Sequence, residues 1–124
     1  MLNDKFYEIL KHEGVVSITS WGIDEPHVNN TWNSYLTILD NKKILIPAAG
    51  FKSTEKDIAK NDRVKVTLGS REVEGFNNYQ GTGFLIEGTA KFLNSGSEFD
   101  IVKDKFPFLS RVLEITVTSA KQLL

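Results

Sequence analysis

Lys52, Ser53 and Thr54 stand in a row, directly after the small-residue stretch Pro47, Ala48, Ala49 and Gly50. Small side chains let a ligand approach the backbone closely. Lysine, serine and threonine at the start of a helix offer positive charge and hydrogen-bond donors, which suits a phosphate. Upstream, Asn30, Thr31, Trp32, Asn33, Ser34 and Tyr35 form a polar run that carries two flat aromatic rings. Aromatic faces near a phosphate site point to a nucleotide-like ligand with a planar ring. The plainer explanation of the same residues is a capped helix with a solvated lysine, and aromatics that serve packing.

Strand alternation sorts the polar run into faces. Thr31, Asn33 and Tyr35 share one side; Val28, Trp32, Leu36 and Ile38 share the other. Trp32 and Tyr35 therefore point apart, and Trp32 is the expected pocket wall or interface residue. Thr31 and Asn33 need hydrogen-bond partners if they are buried, from a ligand, a neighbouring strand or water. Arg71 is suited to bidentate phosphate binding, although an arginine at a strand end is more often a solvated charge. His12 reads as a helix-end residue and His27, just after Pro26, as structural or exposed.

The elements that must position these groups follow from periodicity. Leu2, Phe6, Ile9 and Leu10 recur at helical spacing over residues 3–12, with Gly14 as a C-cap. Residues 15–20 read as a strand, 22–26 as a turn, and 27–39 as one long strand. Asp40, Asn41 and Lys42 turn the chain into a strand over residues 43–48. A helix over 53–61 has Ser53 or Thr54 as N-cap, with Ile58 and Ala59 inward. Val64, Val66 and Leu68 alternate along a strand at 63–70, and residues 72–81 read as a loop. Strands at 82–93 and 113–119 flank a helix at 95–106 whose stripe is Phe99, Val102 and Phe106. About six antiparallel strands with short flanking helices describe a mainly β closed or partly closed barrel. Neither a repeat nor a linker divides residues 1–124, so one domain is expected.

Composition excludes several chemistries. The 124 residues contain no cysteine and two histidines. Thiolate nucleophiles, cysteine-ligated zinc and iron–sulfur clusters are therefore ruled out, and redox chemistry would need an organic cofactor. A formal net charge of −1 argues against broad nucleic-acid binding. No apolar run approaches the roughly 18 residues that would cross a bilayer. The N-terminal stretch lacks the layout of a signal peptide, so the expectation is a cytoplasmic protein without membrane contact.

The segments NTWNSYL, IPAAGFKSTEKDIAKNDRV, LGSR and GTGFLIEG together resemble the small FMN-binding proteins of the flavin split-barrel superfamily, which also contains the pyridoxamine phosphate oxidases. The resemblance runs along essentially the whole chain. It implies a six-stranded split barrel, a homodimer and one FMN per subunit near the interface. Asn30, Thr31, Trp32 and Asn33 would border the flavin, and Pro47, Ala48, Ala49 and Gly50 would run beside its ring. Lys52, Ser53 and Thr54 would bind the phosphate, with Ser70 and Arg71 nearby. Gly81, Thr82 and Gly83 would lie at the isoalloxazine edge, although glycines in strands often mark only bulges. Glu13 would place negative charge near the flavin across the dimer and tune its potential. Where close relatives carry a tryptophan near the ring, this chain has Phe106, Pro107 and Phe108.

The resemblance implies an FMN flavoprotein in electron transfer, or a small flavin oxidoreductase. Its partner would be a redox protein or a small molecule. Nothing resembles a dinucleotide-binding Gly-x-Gly-x-x-Gly. The alternatives are a barrel of the same superfamily that holds another cofactor, such as haem or F420, or an OB-like barrel that binds nucleic acid through exposed aromatics.

Overall fold

The computed structural model describes all 124 residues. Three helices and seven strands alternate along the chain: α1 (Asp4–Leu10), β1 (Val15–Trp21), β2 (Pro26–Trp32), β3 (Thr37–Leu39), β4 (Lys43–Ala48), α2 (Lys52–Ile58), β5 (Arg63–Glu74), β6 (Gln80–Leu93), α3 (Ser97–Lys105) and β7 (Arg111–Gln122). The strands form one antiparallel sheet in the order β2-β1-β5-β6-β7-β4-β3. Its two edge strands are consecutive in the chain, yet no hydrogen-bonded ladder joins them. The sheet is thus split along the seam between β2 and β3.

The mainly β class with short helices holds, with seven strands instead of six. The extra strand arises because the expected run over 27–39 is broken by a 3-10 turn at Asn33–Tyr35. The break has named causes. The Asn33 backbone N–H leaves the ladder and donates to Gly14 O at 2.9 Å. Its side-chain Nδ2 donates to His12 O (2.9 Å) and Gly69 O (3.3 Å). The Glu13 carboxylate accepts from both Ser34 N (3.1 Å) and Ser34 Oγ (2.7 Å). Together these bonds pull the chain out of extended geometry.

Residues 72–81 form a hairpin rather than a loop. β5 runs on to Glu74 and β6 begins at Gln80, with a register shift between Ser70 and Glu74. The turn is made by Asn77 and Asn78, both left-handed (φ 54° and 62°), a conformation that asparagine tolerates better than most residues. Gly14 is no C-cap: α1 ends at Leu10 and Lys11 is its C-cap. The glycine is required by crowding, since a Cβ there would lie 2.9 Å from both Asn33 Nδ2 and Gly69 O.

The core follows the alternation. Val16 and Ile18 on β1, Ile44 and Ile46 on β4, and Val64, Val66 and Leu68 on β5 are buried together with Phe84 and Ile86 on β6 and Leu113, Ile115 and Val117 on β7. Phe6 and Ile9 of α1 plug this core, and Phe6 meets Phe84 edge-on at 5.8 Å. A smaller cluster of Leu45, Val102, Leu109 and Val112 seats α3, with Phe99 and Phe106 packed against it as their stripe requires.

Candidate functional site

α2 begins differently from expectation. Phe51, in a left-handed conformation (φ 63°), occupies the N-cap position and offers no side-chain cap. Ser53 and Thr54 fall inside the first turn, where Asn29 Nδ2 donates to Ser53 Oγ (3.3 Å) and Thr54 Oγ1 (2.5 Å). Each hydroxyl thus accepts from Asn29 and keeps its own hydrogen to donate. Thr54 is fully buried, whereas Ser53 is half-buried and lines a cavity of about 350 Å³. The inward face of α2 is polar: Thr54 and Asp57 are buried, while Ala59 is exposed.

Asp57 explains that polar face. Its Oδ2 accepts from Ser20 Oγ (2.7 Å) and pairs with His27 Nδ1 (2.8 Å). Burial pushes the carboxyl up, but the hydrogen bonds from His27 and Ser20, the His27 charge and the Gly22 N–H together hold it below the ordinary range. The carboxylate ties α2 to β1 and β2, and so fixes the positions of Lys52 and Ser53. Lys52, Lys56, Lys60 and Ser53 line the 350 Å³ cavity with His27 and Asp57. None of the three lysines takes part in an ion pair.

Pro47 and Ala48 are buried in β4, and Ala49 and Gly50 are exposed beyond it. This segment is braced by residues that sequence patterns did not single out. Ser110 N donates to Ala48 O at 3.0 Å. Arg111 Nη2 donates to Gly50 O at 2.6 Å, its Nε pairs with Glu55 Oε2 at 3.1 Å, and its guanidinium lies over the Phe92 ring at 4.7 Å.

On β2, Thr31 is buried and Trp32 is 45% exposed, with Asn30 on the same outer face. Tyr35 points elsewhere and stacks with Phe106 (5.1 Å) and Phe108 (5.8 Å). Phe106 and Phe108 thus wall the 3-10 turn.

Ser70, Arg71, Gly81 and Thr82 line a different and larger cavity of about 860 Å³, with Glu13, Gly14, Gly69 and Glu72. Gly83 lines a neighbouring apolar groove with Val15, Leu123 and Leu124. Arg71 has no ion-pair partner. Gly69 is dictated by close backbone approach, since a Cβ would lie 2.7 Å from Thr82 O. The Asn33 amide lies against Gly14 and Gly69, and its Oδ1 is buried without a partner. Its orientation is fixed because both Nδ2 contacts are carbonyls. Glu13 is held below the ordinary carboxylate range by the Ser34 hydroxyl and the Ser34 N–H.

Two groups of candidate residues therefore exist, lining cavities with no residue in common. The profile of the pyridoxamine 5'-phosphate oxidase family matches residues 2–123. The chain belongs to that family. A curated relative is the FMN-binding protein of Nitratidesulfovibrio vulgaris, 49% identical over 124 residues and covering all of both chains. Among solved structures, HupZ of Group A Streptococcus superimposes with a TM-score of 0.80 at 15% identity, covering 99% of this chain and 100% of that one. General Stress Protein 26 of Bacillus anthracis gives 0.72 at 16% identity, covering 97% and 92%. These two likenesses concern the oxidase-family fold alone. In this family member Gly14 and Gly69 line the larger cavity, whereas Asn30, Thr31, Trp32, Asn33 and the Pro47–Gly50 segment line neither.

Proposed function

We propose that this chain binds FMN and acts in electron transfer or as a small flavin oxidoreductase. The carrying observation is its end-to-end 49% identity with a protein named for FMN binding. The donor set fits such a cofactor. Lys52 is an unpaired cation and Ser53 keeps a hydroxyl hydrogen, which together suit a phosphate. The buried, unpartnered Asn33 Oδ1 behind Gly14 and Gly69 suits an N–H donor.

Bound FMN would supply one- and two-electron chemistry. In this reading Lys52 and Ser53 hold the phosphate, and Thr54, buried against Asn29, keeps the first turn of α2 in place. Asn30, Thr31, Trp32 and Asn33 border the ring, and Pro47, Ala48, Ala49 and Gly50 run beside it. Ser70, Arg71, Gly81, Thr82 and Gly83 complete the pocket from a second copy of the chain. The separation of the two residue groups within one chain supports a homodimeric site, because neither cavity holds both.

The test is an absorption spectrum of the purified protein, taken before and after FMN is added and the excess removed. Near-UV and blue bands that stay with the protein and bleach on reduction are expected. A colourless protein that retains no FMN overturns the proposal.

A further inference from the structure

The inner face of β2 presents His27, Asn29 and Thr31 in alternation, and α2 lies against it. Asn29 grips Ser53 and Thr54. One same-face step away, about 7 Å along the strand, His27 Nδ1 meets Asp57 Oδ2 at 2.8 Å. Ser53 and Asp57 are four residues apart on α2, which stacks them with their Cβ atoms about 5–6 Å apart. The two contacts thus run side by side, and the imidazole stands about one helical turn from the Ser53 hydroxyl. Both groups line the cavity of about 350 Å³.

Asp57 sets the orientation of that ring. Its side chain is only 8% exposed and is held at both oxygens. Oδ2 accepts from Ser20 Oγ (2.7 Å) and from His27, while Oδ1 lies against Gly22, where a Cβ would stand 3.0 Å away. An ionised carboxylate only accepts, so His27 Nδ1 carries a hydrogen in both charge states of the ring. Nε2 is therefore the atom that gains or loses the proton. It bonds to no protein group, and the His27 side chain is 37% exposed. Neutral, Nε2 only accepts and is mismatched to a phosphate dianion; protonated, it donates to one.

We infer that His27 is an anion ligand of this cavity, that Asp57 is the residue positioning it, and that binding of a phosphate ester draws a proton from solvent onto His27 Nε2. The inference rests on the reading that places the FMN phosphate at Lys52 and Ser53. It adds a third ligand to that pair and couples the site to pH.

The other charged groups facing the cavity are Lys52 and Lys56 from α2, Lys60 just beyond it, and Asp24 from the β1–β2 link. Among these side-chain types, histidine alone ordinarily changes charge between about pH 5 and 8. The lysine row disfavours a further positive charge on the ring while no anion is present, and a bound dianion reverses that balance. The proton therefore arrives with the ligand. Affinity for a phosphate ester falls as pH rises, by up to about tenfold per pH unit for one proton taken up.

The experiment is calorimetric titration of FMN into the full chain at about pH 8, in buffers of different ionisation heat, which reads proton uptake directly. At that pH a phosphate monoester is already a dianion and histidine is ordinarily neutral, so uptake reports the imidazole. Uptake approaching one proton per FMN is expected, with none for riboflavin, which lacks the phosphate. His27→Gln should abolish the uptake and weaken FMN binding about tenfold, with riboflavin binding unchanged. Asp57→Asn keeps the shape but removes the charge, and should cut the uptake. No uptake in the wild type, or undiminished uptake in H27Q, overturns the inference; undiminished uptake in D57N removes Asp57 from it. Absence of any FMN binding overturns the FMN reading instead. In that case, or if H27Q fails to fold, nitrogen NMR of the wild-type imidazole decides, with inorganic phosphate added at about pH 8. An Nε2 signal that moves to its protonated position supports the assignment, and one that stays in place refutes it.

Discussion

Asp57 shows how single side chains set the candidate site. A carboxylate with so little exposure is stable only because Ser20, His27 and the Gly22 N–H all serve it. Its folded pKa is depressed, so the stability it contributes is present above its ordinary value of 3.8 and is lost as pH falls through the folded value. Ser20→Ala removes one of those donors inside the core. It should cost about 1–2 kcal/mol at neutral pH and move the acid unfolding midpoint upward, both readable from tryptophan fluorescence during urea and acid titrations. An unchanged acid limb would show that Ser20 does not sustain the Asp57 charge. The same scale governs ligand affinity. Lys52→Ala should weaken FMN binding about tenfold, the order expected for a charge-assisted phosphate contact. Riboflavin, which lacks the phosphate, should bind wild type and variant equally. Equal losses for both ligands would place Lys52 away from the phosphate.

Among the elements, the strand that broke teaches most. The alternation over residues 27–39 resumes in the same phase beyond Asn33, with Trp32 before it and Leu36 and Ile38 after it on one side, so local pattern alone cannot locate the turn. The cause is tertiary: Gly14, His12 and Gly69 come from the α1–β1 link and from β5, and they capture Asn33. Where burial decides, as along Val64, Val66 and Leu68 or at Phe99, Val102 and Phe106, period and structure agree. Where polar contacts decide, they diverge. Asn29, the residue that grips Ser53 and Thr54, carries no signal distinguishing it from Asn30 beside it. Arg111 likewise looks like any strand arginine until Gly50 is folded against it. Gly14→Ala tests the capture directly. Its Cβ would meet a backbone carbonyl that cannot yield. A cost of about 1–3 kcal/mol is expected, measured by thermal unfolding, together with faster amide exchange at Asn33. A variant as stable as the parent would show that the α1–β1 link has room to move.

At the scale of the whole molecule, exposed apolar side chains gather in a groove that adjoins the cavity lined by Arg71 and Gly81. Val15 and Trp32 pair across β1 and β2 and both are exposed, as are Leu123 and Leu124, which share a groove with Val15. Large exposed apolar groups gathered in this way mark interaction surfaces more often than free ones. A second copy of the chain is the occupant that would also carry Arg71 and Gly81 toward Lys52 and Ser53, which one copy leaves in separate cavities. Assembly and cofactor retention should then fail together. Val15→Asp places a charge at the exposed first position of β1, outside the core, and leaves the monomer fold intact. Sedimentation should change from twice the 14.0 kDa chain mass to a single chain, and FMN retention should fall in parallel. A folded monomer that keeps FMN as tightly as the parent would place the whole cofactor site within one chain. It would leave Ser70, Arg71, Gly81 and Thr82 without a part in it.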